Sequence, residues 1–176
     1  MKKYAMGLVL TLIFLSLASA SQAQGAKPVP YQEGLHYFLI DGAPVTTQGP
    51  MELVEAFSYL CSHCNTFEPY ITAWKKRKPE HVEFRRVPVV FGRGSWEIYA
   101  RGYVTAEMMN VGEEAHHAMM DRLWKEKEMM RSMEELAGFY SQFGVDKDKF
   151  LATSGSFAVE TRLKKDQQKV QSFGIT

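Results

Sequence analysis

The only two cysteines of this 176-residue chain, Cys61 and Cys64, are separated by Ser62 and His63. A disulfide that closes so short a loop stabilises a fold by only about 2 kcal/mol on the loop-entropy estimate, which is little for a structural cross-link. Two thiols at this spacing are better suited to exchanging disulfides with other molecules. The motif therefore indicates redox chemistry.

Fast exchange requires the protein to stabilise a cysteine thiolate, because a thiol with the usual pKa of about 8.5 is only about 3% ionised at pH 7. The N-terminus of a helix offers unpaired backbone N–H groups, but its dipole alone contributes less than about one pKa unit. His63 is the candidate for the remainder, since an imidazolium or N–H donor beside the Cys61 sulfur favours the thiolate. A stabilised thiolate favours the reduced pair, so the corresponding disulfide would be a strong oxidant.

The elements that must position these cysteines are a strand before them and a helix after them. Large apolar residues predict strands at Met51–Phe57 and Val82–Val87, and helical periodicity predicts a helix over Cys61–Lys78, with Pro69 expected to kink it. The order strand, helix, strand predicts a right-handed parallel βαβ unit. The cysteines then lie where the carboxyl end of a strand meets the N-terminus of a helix.

The same helix has a predicted apolar face, and the chain before it offers one more strand. Helical spacing predicts a core-facing row made of Cys64, Phe67, Ile71 and Trp74. His36–Ile40 is predicted to form a short strand, followed by a loop rich in proline and glycine.

One acid interrupts the apolar face of the strand that precedes the cysteines. Strand period places Glu55 on the same face as the apolar residues two positions before and after it. Glu55 is therefore either an acid turned to solvent or a partly buried acid with a raised pKa that could carry the Cys64 proton through water. Arg86 on the neighbouring strand is its candidate partner, although a solvated Arg86, with Arg85 on the opposite face, is an equally open interpretation.

From residue 95 onward the pattern is helical only. The predicted helices cover Ser95–Asn110, Glu113–Lys127, Ser132–Phe143 and Phe157–Phe173, and Asp146–Leu151 is predicted to form a short turn. Seven of the ten methionines lie in this part of the chain, where they either fill the core or form an adaptable apolar surface for unfolded proteins.

Three smaller expectations concern the faces of these helices. Adjacent methionines such as Met119 and Met120 are not expected to share one helix face. His116 and His117 are expected on a solvated face rather than as a pair of metal ligands. The last helix is expected to expose a polar face formed by Lys164, Lys165, Asp166 and Gln168.

The N-terminus has the features of a secretory signal peptide. Lys2 and Lys3 precede an apolar stretch that reaches Leu17, and small residues follow it. Cleavage is predicted after Ala23, with Ala20 as the alternative, so the protein is expected to be exported. A membrane anchor is the less favoured interpretation of so short a stretch.

Charge and ligand spacing argue against several other functions. The net charge is +1 and no basic stripe is present, so nucleic-acid binding is not expected. A zinc site would need a second pair of ligands beside Cys61 and Cys64, and haem attachment would need a histidine where Asn65 stands. Neither a metal nor another cofactor is expected.

With these features the chain resembles the DsbA family of periplasmic thiol:disulfide oxidoreductases. The resemblance covers nearly all of residues 31–176 and is most specific over Glu55–Cys64, which reads EAFSYLCSHC. Pro69, five residues after the second cysteine, and Phe84–Phe91, the following strand and its exit, also match.

The resemblance implies an α/β, thioredoxin-like fold with an inserted helical domain. The implied divisions are a signal peptide at 1–23, a first thioredoxin-like part at 24–92, the helical insert at 93–156 and the start of a second thioredoxin-like part at 157–176. Family members continue from a segment like Ser172–Thr176 into a cis-proline loop, two strands and a helix. The chain is therefore expected to lack C-terminal elements of the fold and, as it stands, to fold and oxidise other proteins poorly.

The resemblance also implies a role for each residue of the motif. Cys61 matches the nucleophilic cysteine, Cys64 its buried partner, His63 the histidine between them and Glu55 the acid beneath the pair. Ser62 stands where the usual oxidase has proline, which leaves the redox strength open.

The implied activity is donation of a disulfide to reduced or unfolded exported proteins in the periplasm by a monomeric enzyme. A DsbB-like, quinone-linked membrane oxidase is the implied partner for reoxidation. The alternatives are a disulfide reductase or isomerase of the same fold, a non-catalytic chaperone-like binder that uses the methionine-rich helices, and an inactive truncated fragment.

Overall fold

The computed structural model describes residues 30–40 and 50–175. The predicted signal peptide, residues 1–23, lies outside these ranges. The chain divides into two units, Met1–Leu39 and Ile40–Thr176. None of the helices in the described ranges is both long enough and apolar enough to cross a membrane.

Residues 34–36 in the first unit form a turn and residues 38–40 have no regular structure, so the predicted strand at His36–Ile40 is wrong. The backbone N–H of Gly34 donates to the carbonyl of Tyr37 across 2.8 Å, and Gly34 adopts a left-handed φ of 79°. A single isolated bridge joins Glu33 to Tyr37. The chain bends back here, and the turn uses backbone groups that an extended strand would offer to a neighbour.

The second unit begins with the predicted βαβ arrangement. Strand β1 (Met51–Phe57), helix α1 (Ser62–Lys75) and strand β2 (Val82–Pro88) follow one another. The two strands are parallel. Both strands and their parallel order are confirmed. Pro69 lies inside α1, and Cys61 is the residue that precedes its first turn.

Five further helices follow β2. Four of them are the predicted helices, with ends that differ from the expected ones by a few residues, and the helix at Lys147–Ser154 stands where a short turn is predicted. The five helices are α2 (Gly94–Met108), α3 (Gly112–Trp124), α4 (Met133–Tyr140), α5 (Lys147–Ser154) and α6 (Phe157–Ser172), and a 3₁₀ turn at Ser141–Phe143 follows α4. Local capping explains where three of them start. The side chains of Ser132, Asp146 and Ser156 each accept a hydrogen bond from the backbone N–H three residues later.

The main hydrophobic core is built by α2, α3, α4 and α5 together with the end of β1. Phe57 packs edge to face against Tyr103 with the ring centroids 5.0 Å apart, and Tyr140 stacks on Phe150 at the same separation. Helices α2 and α4 approach closely at Gly102, where a Cβ would lie only 2.9 Å from the Leu136 side chain. The end of β1 is therefore held by the helical region.

A smaller cluster joins α6 to β2 through Val87, Val89 and Val170. Beside it, Asp166 is only 1% exposed, so the expected polar face is wrong at this position. Its carboxylate binds Arg85 and accepts a hydrogen bond of 3.0 Å from Arg162. The guanidinium groups of Arg85 and Arg162 compensate the Asp166 carboxylate for its lost hydration. The residue pattern of α6 alone does not reveal this compensation.

Helix α3 is also more deeply buried than expected. Met119 and Met120 are both buried, although they are adjacent in sequence. The helix lies against α2 on one side and contacts Tyr59 and Glu68 on another. Because it is covered from more than one direction, neighbouring positions can both reach the core.

Candidate active site

The two cysteines lie at the junction of β1 and α1, as the sequence predicts. Cys61 has extended backbone angles and directly precedes α1, and its carbonyl accepts the backbone N–H of Asn65 across 3.1 Å. Cys64 lies in the first turn of the helix. Both are half-buried. The residue at the helix start thus lies beside the first-turn N–H groups that have no partner within the helix.

Cys64 packs against the main core, and this burial governs its thiol. Burial raises the pKa of Cys64 to about 11, with smaller contributions from the neighbouring Cys61 thiol and the Glu55 carboxylate. The backbone of Ser58 offsets part of the rise. A thiol with so high a pKa is protonated at neutral pH and is a poor nucleophile there.

This pKa predicts the reactivity of Cys64 when it is the only thiol. In Cys61→Ser, alkylation by iodoacetamide should be slow at pH 8 and should rise steeply only as the pH approaches about 11, because burial remains when the Cys61 thiol is removed. The rate would be followed by mass spectrometry. The same variant unfolded in guanidinium chloride is the control and should titrate near the usual value of about 8.5. An identical profile in the folded and unfolded protein would contradict the burial of this thiol.

His63 lies on the exposed side of the first turn of α1. The sequence predicts that its imidazole acts on the Cys61 sulfur, and its position next to the N-terminus of the helix is compatible with that role. Among the residues that the structure describes, no hydrogen bond of the His63 side chain is present. Its influence on the cysteines therefore stays a prediction.

Glu55 and Arg86 form an ion pair beneath the cysteine segment. They face each other across the two strands, and Nε of Arg86 donates to the Glu55 carboxylate across 3.0 Å. The Glu55 side chain is 10% exposed, so of the two interpretations the partly buried acid is the one the structure adopts. Burial raises its pKa, although Arg86 counteracts the rise.

Arg86 is not a solvated strand residue. Its side chain is 1% exposed and binds three carboxylates at once. In addition to Glu55, it donates to Glu68 across 2.8 Å and to Glu113 across 2.9 Å. Arg86 thus links β1, α1 and α3, because each of the three acids comes from a different element.

Glu68 is the site residue that the sequence patterns missed. It is buried in the middle of α1, whereas Phe67, which was predicted to face the core, is 50% exposed. Glu68 lies one helical turn after Cys64 and three residues before the buried Ile71, so an acid within the core-facing row is the signal that could have revealed it. Burial raises the pKa of Glu68, but the hydrogen bond with His116 and the positive charge of Arg86 lower it by more, so the pKa of Glu68 is lowered.

His116 is the second correction in this region. It was expected in solvent, yet it is 0% exposed and its Nε2 lies 3.1 Å from the Glu68 carboxylate. His117 is exposed as expected, and its Nδ1 lies 3.3 Å from the other Glu68 oxygen. The site therefore consists of an exchangeable pair of thiols backed by a buried, hydrogen-bonded group of charges. Within the described ranges, no three His, Cys, Asp or Glu side chains are arranged to hold a metal ion.

The sequence is similar to known proteins over most of its length. Residues 52–176 match the family model for the DSBA-like thioredoxin domain. The chain is 37% identical to the thiol:disulfide interchange protein DsbA of Azotobacter vinelandii, over all of this chain and 82% of the relative. It is 36% identical to the DsbA of Pseudomonas aeruginosa, over 96% of this chain and 79% of the relative.

Solved structures of DsbA proteins have the same fold. A crystal structure of a Pseudomonas aeruginosa DsbA variant superimposes with a TM-score of 0.77 at 35% identity, over 84% of this chain and 80% of that one. DsbA from Xylella fastidiosa superimposes with a TM-score of 0.68 at 34% identity, over 74% of this chain and 70% of that one.

Proposed function

Because the chain belongs to the DSBA-like thioredoxin family and is a thiol:disulfide oxidoreductase of that family, we propose that it donates a Cys61–Cys64 disulfide to reduced proteins newly exported to the periplasm. The observation that carries the proposal is the unequal pair of thiols at the start of α1. Cys61 precedes the helix, whereas Cys64 packs against the core with a pKa of about 11. The N-terminal signal-like segment supports the location.

The first step is attack of a client thiolate on the Cys61 sulfur. A bond forms between the client sulfur and Cys61, the Cys61–Cys64 bond breaks, and Cys64 leaves as a thiolate that takes up a proton. Its high pKa makes this protonation favourable and returns the system to a neutral thiol. Glu55, a partly buried acid with a raised pKa, is the proposed group that relays this proton between water and Cys64.

The second step releases the oxidised client. A second client thiolate attacks the client sulfur of the mixed disulfide, and Cys61 leaves as a thiolate at the N-terminus of α1. Two electrons have then moved from the client dithiol to the cysteine pair. Regeneration of the disulfide requires an oxidant, and the proposed partner is a DsbB-like, quinone-linked membrane oxidase.

An equilibrium with glutathione tests the direction of the reaction and the role of His63. We expect the wild-type pair to oxidise glutathione, whereas a reductase of the same fold would remain largely as the disulfide under the same conditions. His63→Ala should make the disulfide harder to reduce by about 1 to 3 kcal/mol, the scale of one hydrogen bond to a charged group. The fractions would be measured by alkylation and mass spectrometry. An unchanged equilibrium constant would remove His63 from the mechanism, and a pair that stays oxidised would refute the proposed direction.

A further inference from the structure

His116 is a fully buried titratable residue to which the reaction steps above assign no role. It lies in α3, within the helical region, and its imidazole ring packs against the ring of Phe57 with the centroids 5.2 Å apart. Its two nitrogens contact residues on both sides of the cysteines. Nδ1 lies 3.1 Å from the hydroxyl of Tyr59, two residues before Cys61, and Nε2 lies 3.1 Å from Glu68, four residues after Cys64.

The partners define which nitrogen carries the proton. The Glu68 carboxylate can only accept, so Nε2 of His116 donates to it, and the Tyr59 hydroxyl donates to Nδ1. Burial lowers the pKa of His116, which keeps the ring neutral at pH 7 and consistent with this tautomer. Both ring nitrogens are then satisfied, as a buried imidazole requires.

A second hydrogen bond attaches the same helix to the same segment. Trp124, the last residue of α3, donates its indole N–H to the backbone carbonyl of Tyr59 across 2.9 Å. Tyr59 is therefore held by α3 through both its side chain and its backbone. The contact of His116 with Glu68 also attaches α3 to α1, after the cysteines in sequence.

From these contacts we propose that His116 is a positioning residue of the thiol–disulfide reaction. It fixes the Glu68 carboxylate and Tyr59 relative to the cysteines, and through Glu68 it helps to set the equilibrium between the reduced pair and the disulfide.

The route from His116 to the cysteines passes through the buried charges. Glu68 shares Arg86 with Glu55, and its carboxylate is one of the charges that raise the pKa of Glu55. Glu55 in turn is one of the charges that raise the pKa of Cys64. When the donor to Glu68 is lost, Glu68 holds its negative charge less firmly and Glu55 ionises more readily. Negative charge then moves toward the cysteines and disfavours a thiolate there.

Two variants separate this role from packing, because they keep different halves of the imidazole. His116→Gln places an amide near the Nε2 position and retains a donor for Glu68. His116→Asn places its amide near Nδ1, so it retains only the contact with Tyr59. Both variants lose the aromatic ring and should lose thermal stability, and His116→Asn should lose more because it also leaves Glu68 without this donor.

The readout is the glutathione equilibrium constant of Cys61 and Cys64 in the full chain, with a thermal transition recorded for each variant. We expect His116→Asn to hold its disulfide at least about threefold more firmly than wild type, a typical size for a residue that acts through a network. His116→Gln should stay within about twofold of wild type. Equal constants in the two variants, or a shift of His116→Asn toward the reduced form, would overturn the proposal. Because the comparison is between variants, it stands apart from the question of whether the wild-type pair is an oxidant or a reductant.

Discussion

Replacing Cys64 with serine is expected to convert the protein from a catalyst into a trap for its clients. In the reduced Cys64→Ser variant, the Cys61 thiolate attacks a client disulfide, one client thiolate leaves, and a mixed disulfide remains. No Cys64 thiol is present to attack it, so the adduct should persist. Catalysed disulfide formation in a reduced client should fall to the uncatalysed level. Non-reducing electrophoresis and mass spectrometry would identify the adduct.

Cys61→Ser is the matched control for this experiment. It should also lose catalysis, but it should form little adduct at neutral pH, because Cys64 is packed against the core and its pKa of about 11 keeps it protonated. Equal amounts of adduct in the two variants would show that either cysteine can meet a client. The assignment of Cys61 as the nucleophile would then be wrong.

Replacing Arg86 with methionine should cause the largest loss of stability among single substitutions at the site. Methionine fills a similar volume, but it leaves the buried Glu55 and Glu68 carboxylates without the cation that compensates their desolvation. Breaking a buried ion pair from one side costs about 3 to 5 kcal/mol. Urea unfolding at pH 7, followed by circular dichroism, would measure the change in the free energy of unfolding.

The same substitution predicts a characteristic pH dependence. Arg86 counteracts the effect of burial on Glu55, so without Arg86 the pKa of this carboxyl group should rise further above its value in the unfolded chain. A carboxyl group with a raised folded-state pKa costs stability above that pKa, and the cost disappears as the pH falls and the group is protonated. The difference between Arg86→Met and wild type should therefore shrink on acidification from pH 7 toward pH 5.

Arg85→Met provides the control on the adjacent position of β2. Arg85 also binds a buried acid, Asp166, but that acid keeps its bond of 3.0 Å to Arg162 when Arg85 is removed. The loss of stability should be clearly smaller than for Arg86→Met. Equal losses of stability in the two variants would mean that binding three carboxylates does not make Arg86 more important for stability than Arg85.

Local patterns in the sequence predicted the elements that carry the cysteines. Apolar strand residues, helical spacing and cap residues depend on neighbours within one or two turns, so β1, β2 and the start of α1 could be located without the fold. The short segment at His36–Ile40 failed because a strand needs a partner as well as suitable residues. The described chain instead bends at Gly34.

The environment of the cysteines could not be predicted in the same way. Glu68, Arg86 and His116 are polar residues on three different elements, and each is normally expected in solvent. They are buried because each provides the hydrogen bonds or opposite charge that the others need, and this mutual compensation exists only when the elements are assembled. The sequence by itself therefore determined that the chain has an exchangeable pair of thiols at the start of a helix. Only the tertiary structure decided which charges lie beneath that pair, because the cost of burying a charge depends on partners that are distant in sequence.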